Sequence, residues 1–185
     1  RGSAFFITKR LEKYGQNPTD HPGLAADVGR LFLGMDFACA QCHDHLFIDD
    51  YKQADFQGLF AFVNQTFIER SKKFPAVGQR GMKAKLEFQS VFVAGQHQTG
   101  PRVPGGPEHD VPVFKKGEEY LEVPEGKEPS ARKLKFDPLA LLARDLPRSD
   151  NQAFRRNIAN RLWFVMMGRG LVHPLDLHHG ENPAS

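Results

Sequence analysis

The stretch LAADVGRLFLGMDFACAQCHDH, residues 24–45, joins a helical pattern to a chemical motif. Asp20 and Pro22, just ahead of it, are residues typical of a helix cap and first turn. The apolar side chains that follow recur at helical spacing, at Leu24, Val28, Leu31, Phe32 and Met35. The pattern predicts an amphipathic helix that begins near residue 20 and runs directly into Cys39.

Cys39 and Cys42 are the only two cysteines of the chain, and His43 directly follows the second one. This order is typical of covalent haem attachment, in which two thiols add to the porphyrin vinyl groups and the imidazole reaches the iron. A Cys-x-x-Cys pair is also found in disulfides and as half of a zinc site. The sequence alone leaves all of these open, and it does not rank a second axial ligand.

His45 makes the zinc alternative more specific, because Cys39, Cys42, His43 and His45 offer four zinc-type ligands within seven residues. The tight spacing favours zinc held by three of these side chains and one remote residue. The other interpretation is that His45 only packs or caps locally.

A second helix is predicted from about Tyr51 to Val63, with Asp49 or Asp50 as its cap. Its buried face is predicted to carry Phe56, Leu59, Phe60 and Val63. The two cysteines are therefore expected in a corner between two helices.

The chain changes character between about residues 67 and 129. Residues 86–94 alternate loosely and are rich in Phe and Val, which predicts a strand. The run GPRVPGGP, residues 100–107, excludes regular structure, and a short extended piece is predicted near Tyr120 to Val123.

Helices return after this insert. Asp137 and Pro138 predict the start of a helix that ends near Leu146, and Ser149 or Asp150 is predicted to cap the next one. That helix is predicted to end at Gly168 and to bury an apolar stripe made of Phe154, Ile158, Leu162 and Met166. The predicted fold class is mainly α, with an irregular Gly/Pro-rich insert containing a few short β-strands.

A second candidate site is the cluster His173, Asp176, His178, His179 and Glu181, which follows this helix. Imidazoles and carboxylates at such density are able to bind a divalent metal or to act as acid and base. The alternative is that the carboxylates cap or bridge within a loop and that the histidines bind nothing specific.

The composition excludes several classes of protein. The net charge of the 185 residues is only +3, and Lys and Arg are scattered among 22 acidic residues, which argues against nucleic-acid binding. No apolar run approaches the roughly 20 residues of a membrane-spanning helix. The chain begins at Arg1 and stops in a polar tail at Ser185, so a fragment of a longer protein is expected.

Two parts of the chain resemble known families. Residues 32–45, continuing into residues 55–62, resemble the end of the planctomycete cytochrome-like domain (PSCyt type), found in large bacterial proteins of unknown function. Residues 155–163, 168–174 and 181–183 are similar to the start of the partner domain (PSD type) that follows it. The resemblance implies three parts: the C-terminal part of the cytochrome-like domain over residues 1–70, a Gly/Pro-rich junction with short strands over 71–130, and the N-terminal part of the partner domain over 131–185.

The resemblance implies an exported bacterial protein but supplies no established biochemical role. Together with the motif at Cys39, Cys42 and His43, it predicts a protein that carries haem c and acts in electron transfer or in an oxidoreductase assembly. No membrane span is expected in this fragment. Its partners would be a redox protein or other domains of the same full-length chain. The alternative is a haem-free domain with a structural disulfide, or with zinc or another divalent metal, that binds or hydrolyses extracellular polymers. Both interpretations place the cysteines in the periplasm or another oxidising compartment, and neither decides whether the protein is an enzyme.

Overall fold

A computed structural model describes residues 2–12, 19–69, 76–121 and 133–184 of the chain. Its helices are α1 Gly2–Leu11, α2 His21–Val28, α3 Gln53–Val63, α4 Pro138–Asp145 and α5 Gln152–Met167. Its strands are β1 Thr66–Glu69, β2 Ala76–Gln79, β3 Leu86–Gln89 and β4 Gln96–Thr99. Over the described residues the architecture is mixed, so the mainly α expectation holds only in part.

Helix α2 begins as predicted but ends earlier. The Asp20 carboxylate accepts a hydrogen bond of 2.8 Å from the Gly23 backbone N–H, and Pro22 lies in the first turn. The helix continues as a π-helical turn over Gly29–Leu33 and stops at Gly34, whose φ of 69° is left-handed. The prediction that this helix runs into Cys39 is wrong, because the left-handed residue turns the chain out of the helix before the motif.

Helix α3 packs against α2 in the core. Phe56, Leu59 and Val63 are each 1% exposed, as predicted, whereas Phe60 is only half-buried and stacks on Phe56 with ring centroids 6.2 Å apart. Burial of such side chains contributes about 1.5–3 kcal/mol each. The same core cluster includes Leu142 of α4, so the first and last parts of the chain share one core.

The cap of α3 differs from the prediction. The backbone N–H of Gln53 donates to the Asp44 carboxylate at 2.9 Å, so the helix start is satisfied from within the motif loop. Asp50, one of the two predicted caps, instead accepts a hydrogen bond of 2.6 Å from the Gly180 backbone N–H. Neither Asp49 nor Asp50 caps α3.

The strands form two separate antiparallel hairpins, β1 with β2 and β3 with β4. In the second hairpin Leu86 lies opposite Thr99 and Gln89 opposite Gln96. The predicted strand over residues 86–94 is therefore confirmed only as far as Gln89, and the hairpin β1–β2 was not predicted. Residues 100–107 have no regular structure, as expected.

The predicted extended piece near Tyr120 is only partly described. Tyr120 forms an isolated bridge with Leu134. The Leu121 N–H donates to the Lys133 carbonyl at 2.9 Å, and the last two residues of the piece, Glu122 and Val123, lie outside the described residues.

The C-terminal helices begin at residues with side-chain caps. Asp137 accepts a hydrogen bond of 3.0 Å from the Ala140 N–H, as predicted for α4. Helix α5 is capped by Asn151, which accepts from the Phe154 N–H at 3.1 Å, rather than by Ser149 or Asp150. Gly168 ends α5 with a φ of 77°, as predicted.

The predicted buried stripe of α5 is wrong in its second half. Leu162 is 60% exposed and Met166 is 70% exposed, whereas Asn157 and Asn160 are buried. The reason is that α5 attaches to the π-helical turn through hydrogen bonds: the Asn157 amide donates to the Leu31 carbonyl at 2.8 Å. None of the helices within the described ranges is long and apolar enough to span a membrane.

Candidate functional site

The two cysteines lie on one short turn of the backbone. Cys39–Gln41 form a single 3₁₀ turn, in which the Cys42 N–H donates to the Cys39 carbonyl at 3.4 Å. Both thiols are exposed and neither is in a disulfide. The turn therefore presents both sulfur atoms to a molecule approaching from outside.

His43 is oriented by a backbone carbonyl. Its Nδ1 lies 2.6 Å from the Asp44 carbonyl oxygen, so Nδ1 carries the proton and donates. In the neutral ring the lone pair is then on Nε2. The centroid of the His43 ring lies 4.7 Å from that of Phe92, which packs against it.

Two buried glutamines of α3 anchor the turn between the cysteines. The side-chain amide of Gln57 donates to the Gln41 carbonyl at 2.9 Å. The amide of Gln53 donates to the Gln89 carbonyl at 2.9 Å and lies 3.5 Å from the Gln41 carbonyl. Gln53 and Gln57 are 4% and 8% exposed, so these hydrogen bonds are shielded from water.

The hairpin β3–β4 completes the surroundings of the motif. The Val91 N–H donates to the Cys42 carbonyl at 3.1 Å, which places the hairpin tip against the cysteine turn. Large apolar side chains of the tip and of the loop after His45 are between 59% and 83% exposed: Leu46, Phe47, Val91, Phe92 and Val93. We call these five residues the apolar rim.

His45 has a local role in the loop. Its Nδ1 accepts hydrogen bonds from the N–H groups of Phe47 at 3.1 Å and Ile48 at 3.0 Å. Its ring meets the Tyr51 ring edge-on, with centroids 5.8 Å apart. This is the local capping given above as one interpretation. Because Nδ1 accepts, the proton of the neutral ring is on Nε2, so in this arrangement neither ring nitrogen offers a free lone pair to a metal.

The structure brings together only part of the C-terminal cluster. His178 and His179 line one cleft of about 670 Å³ with Arg156 of α5, whereas His173, Asp176 and Glu181 are not among its described lining residues. The Asp176 carboxylate lies 3.7 Å from the Arg30 guanidinium. His43 does not line this cleft either, so the two candidate sites are separate.

His178 is held by hydrogen bonds on both its ring and its backbone. Its Nε2 lies 3.2 Å from the Asn160 amide nitrogen, and its carbonyl accepts from the Tyr51 hydroxyl at 3.0 Å. Burial lowers the pKa of His178, and the positive charges of Arg161 and Arg156 lower it further. His178 is therefore an uncharged acceptor in this network at neutral pH.

Gly34 makes the approach of the C-terminal segment possible. The His178 N–H donates to the Gly34 carbonyl at 2.9 Å. A Cβ at Gly34 would lie only 2.6 Å from the His178 ring and 2.7 Å from the Asn157 amide oxygen. The glycine thus supplies both the left-handed backbone and the space that the packing requires.

The predicted metal ligands do not form a recognisable cluster. Across residues 2–12, 19–69, 76–121 and 133–184, no three His, Cys, Asp or Glu side chains converge in a way that could hold a metal ion. Metal binding at His45, His173, Asp176, His178 or His179 stays a prediction.

Sequence reasoning missed the residues that position the motif. Gln53 and Gln57 carry a signal that could have revealed them, since they are polar side chains four residues apart on a helix whose other residues, apart from Asp55, are apolar or Gly. The contact of Phe92 with His43 has no signal in the sequence, because the two residues come together only through the hairpin.

The comparisons with known proteins identify the segment that carries the motif. Residues 8–67 match the PSCyt2 family, which is described as a protein of unknown function (DUF1549). The predicted resemblance to the planctomycete cytochrome-like domain is confirmed for this segment, while the resemblance of residues 131–185 to the partner domain stays a prediction. No curated protein and no solved structure matches the chain.

Proposed function

We propose that Cys39 and Cys42 attach one c-type haem covalently, that His43 is an axial ligand of its iron, and that the protein transfers electrons outside the cytoplasm. The observation that carries this proposal is the hydrogen bond of 2.6 Å from His43 Nδ1 to the Asp44 carbonyl. A neutral imidazole has one N–H, so this bond fixes Nε2 as the nitrogen with the free lone pair. The carbonyl also makes the ring a better electron donor to a metal.

The cysteine turn is suited to the attachment step. Each thiol would add across a vinyl group, so that one carbon–sulfur bond forms and the thiol hydrogen passes to the other vinyl carbon. Cys39 and Cys42 are exposed and free, and the 3₁₀ turn keeps both sulfur atoms on one short segment. When bound, the haem would supply reversible one-electron transfer.

Buried hydrogen bonds hold this turn in one conformation. Gln57 and Gln53 fix the Gln41 carbonyl from one side, and Val91 fixes the Cys42 carbonyl from the other. A preorganised turn loses less conformational entropy when a large group is attached to it.

The apolar rim favours a flat, largely apolar ligand over a bare metal ion. Its side chains are exposed next to the motif, and a porphyrin that covered them would remove their apolar surface from water. Exclusion of water would also disfavour the charged ferric state and raise the reduction potential. Haem attachment and stable disulfides both belong to oxidising compartments, which supports export.

The experiment is to produce the chain in the periplasm of a host that matures c-type cytochromes, and to record its pyridine haemochrome spectrum. The expected result is about one covalently bound haem per chain, with the spectral shift of saturated vinyl groups. The variant with Cys39→Ala and Cys42→Ala should lose covalent haem, and His43→Ala should alter the Soret band. His97→Ala is the control, because His97 is an exposed histidine of β4 that lies against Phe88.

A matured chain without haem would refute the proposal, provided that a known c-type cytochrome made in the same cells is loaded. Mass spectrometry of the same sample would then show whether Cys39 and Cys42 have formed a disulfide or hold a metal. Either result would favour the alternative, a haem-free domain in which this pair is structural.

A further inference from the structure

A second cleft, of about 720 Å³, lies far along the chain from the cysteine motif. One wall consists of residues 79–83, at the end of β2 and just after it, and the other is the segment 113–120. Its lining residues include Phe67, Arg80, Met82, Lys83, Phe114, Lys116 and Glu119. We call it the cationic cleft.

None of the three cations that line this cleft forms an ion pair within the part of the chain that the structure describes. Arg80, Lys83 and Lys116 have no carboxylate within 4.0 Å among the residues that the structure describes. Some other cations of the described residues are paired, such as Lys85 with Glu108 at 2.6 Å and Arg102 with Asp55 at 3.0 Å. Single cations such as Lys9 and Arg169 also lack an ion pair among the described residues, whereas three such cations line this cleft together. Three unpaired cations around one cavity repel each other, and an anionic ligand would relieve that repulsion.

Glu119 is the one carboxylate among the described lining residues, and a backbone N–H already binds it. Glu119 accepts a hydrogen bond of 2.5 Å from the Gly117 backbone N–H, so its oxygen is bound within its own loop. Met82 of the lining is 8% exposed and adds a buried apolar side chain. Three cations and one carboxylate line the cleft, so the charge of its described lining is positive.

Two aromatic rings hold cations at the cleft. The Arg80 guanidinium lies 4.7 Å from the centroid of the Phe67 ring. The Lys135 ammonium lies 5.8 Å from the centroid of Phe114, which brings a further positive charge beside the wall. Because these ring faces carry cations, they are poor platforms for stacking nucleobases, and the cleft is better suited to anionic groups.

We propose that the cationic cleft binds a compact oligoanion that carries two or more sulfate or phosphate groups. Lys83 and Lys116 act as mobile point charges, which suit the tetrahedral oxyanions of such groups, and Arg80 supplies a fixed, planar donor. The volume lies within the range of small-molecule sites. This function is separate from haem attachment and does not depend on it.

The experiment is calorimetric titration of the whole chain with a multiply sulfated disaccharide and with tripolyphosphate at low salt. Binding of at least one of the two is expected to saturate at one site and to weaken as salt is added. The probe that binds with the lower Kd shows whether the cleft prefers a sulfated sugar or an oligophosphate. The unsulfated disaccharide should not bind.

The variant carrying Lys83→Gln and Lys116→Gln should weaken binding about four- to twenty-five-fold, since each exposed charge contact changes affinity about two- to fivefold. The charge-matched control carries Lys9→Gln and Arg169→Gln, which remove two exposed cations outside the cleft. The control should bind as the native protein does. Equal thermal midpoints in the two variants would show that both are folded.

Three results would overturn the proposal. The first is that neither oligoanion binds. The second is that the control variant loses as much affinity as the cleft variant, which would indicate a general effect of net charge. The third is that single-stranded DNA of equal charge binds more tightly than both probes.

Discussion

Replacement of Asn157 by alanine is expected to lower the free energy of unfolding by about 2–4 kcal/mol. Asn157 is 0% exposed and connects α5 to the segment that precedes the cysteine motif. Its amide nitrogen donates to the Leu31 carbonyl at 2.8 Å, and its amide oxygen accepts from the Arg161 Nε at 3.1 Å. Asn160, three residues further along α5, is 3% exposed and makes a similar buried contact, with hydrogen bonds to the Val172 backbone and to His178.

The magnitude follows from the two groups that lose their partner. A carbonyl such as that of Leu31, left without a donor at a packed contact, costs about 1–3 kcal/mol. Arg161 keeps its hydrogen bond of 2.7 Å to the Arg30 carbonyl, so the lost contact at its Nε adds only about 1 kcal/mol. The two contributions together give the expected range.

Urea unfolding followed by tryptophan fluorescence measures this effect, because Trp163 is the only tryptophan and lies on α5. With a slope of about 2 kcal/mol per molar urea, the midpoint should fall by about 1–2 M. Gln152→Ala is the control, since Gln152 is exposed at the start of the same helix and should change stability by less than about 0.5 kcal/mol. Equal midpoints for the two variants would refute the conclusion that buried amides attach α5.

Three further changes test other contacts. Gly34→Ala and Gly105→Ala both place a side chain at positive φ, which costs about 1–2 kcal/mol. Only Gly34 is crowded by neighbouring atoms, so thermal unfolding should show that the Gly34→Ala variant loses at least about 1 kcal/mol more stability than the Gly105→Ala variant. Because the folded-state pKa of His178 is lowered, the unfolded chain takes up the proton first as the pH falls through about 6.5. Stability should therefore decrease from pH 7.5 to 5.5, and His178→Gln should reduce that slope in urea titrations at both pH values. His109→Ala removes a hydrogen bond to the buried Asp145 carboxylate and should cost about 1–3 kcal/mol in the same assay; an unchanged midpoint would show that Asp145 does not need this partner.

The sequence predicts those features of the fold that depend on neighbouring residues. Asp20 and Asp137 cap their helices as predicted, because a cap involves a side chain and an N–H only three residues away. Asp44 satisfies the start of α3 from a different turn of the chain, and no local pattern indicates such a contact. The two predicted caps of α3 failed for this reason.

Helix α5 shows where periodicity misleads. Its apolar residues repeat at helical spacing, and this predicted a buried stripe that includes Leu162 and Met166. The helix instead attaches through Asn157 and Asn160, whose amides find backbone partners at Leu31 and Val172. Hydrophobic patterns assume that burial is apolar, so they miss a contact made by buried hydrogen-bonded amides.

In the candidate sites, too, the local features could be predicted from the sequence and the features formed by distant segments could not. The order of Cys39, Cys42 and His43 is local and was visible in the sequence, as was the possibility that His45 caps its own loop. The cationic cleft was not visible, because its walls come from residues 79–83 and from segment 113–120 and meet only in the folded chain.

The family match ends at residue 67, yet the hydrogen bonds that hold the motif extend well beyond it. The Cys42 carbonyl accepts from Val91, and the Gln53 amide donates to the Gln89 carbonyl, both in the β3–β4 hairpin. The Tyr51 hydroxyl donates to the carbonyl of His178, near the other end of the chain. If residues 8–67 were produced alone, the Gln53 amide and the Tyr51 hydroxyl, which belong to buried residues, would lose these partners, and each such loss costs about 1–3 kcal/mol. The structural unit that positions Cys39, Cys42 and His43 therefore includes the hairpin and the C-terminal segment, and the motif depends on parts of the chain that the family match does not cover.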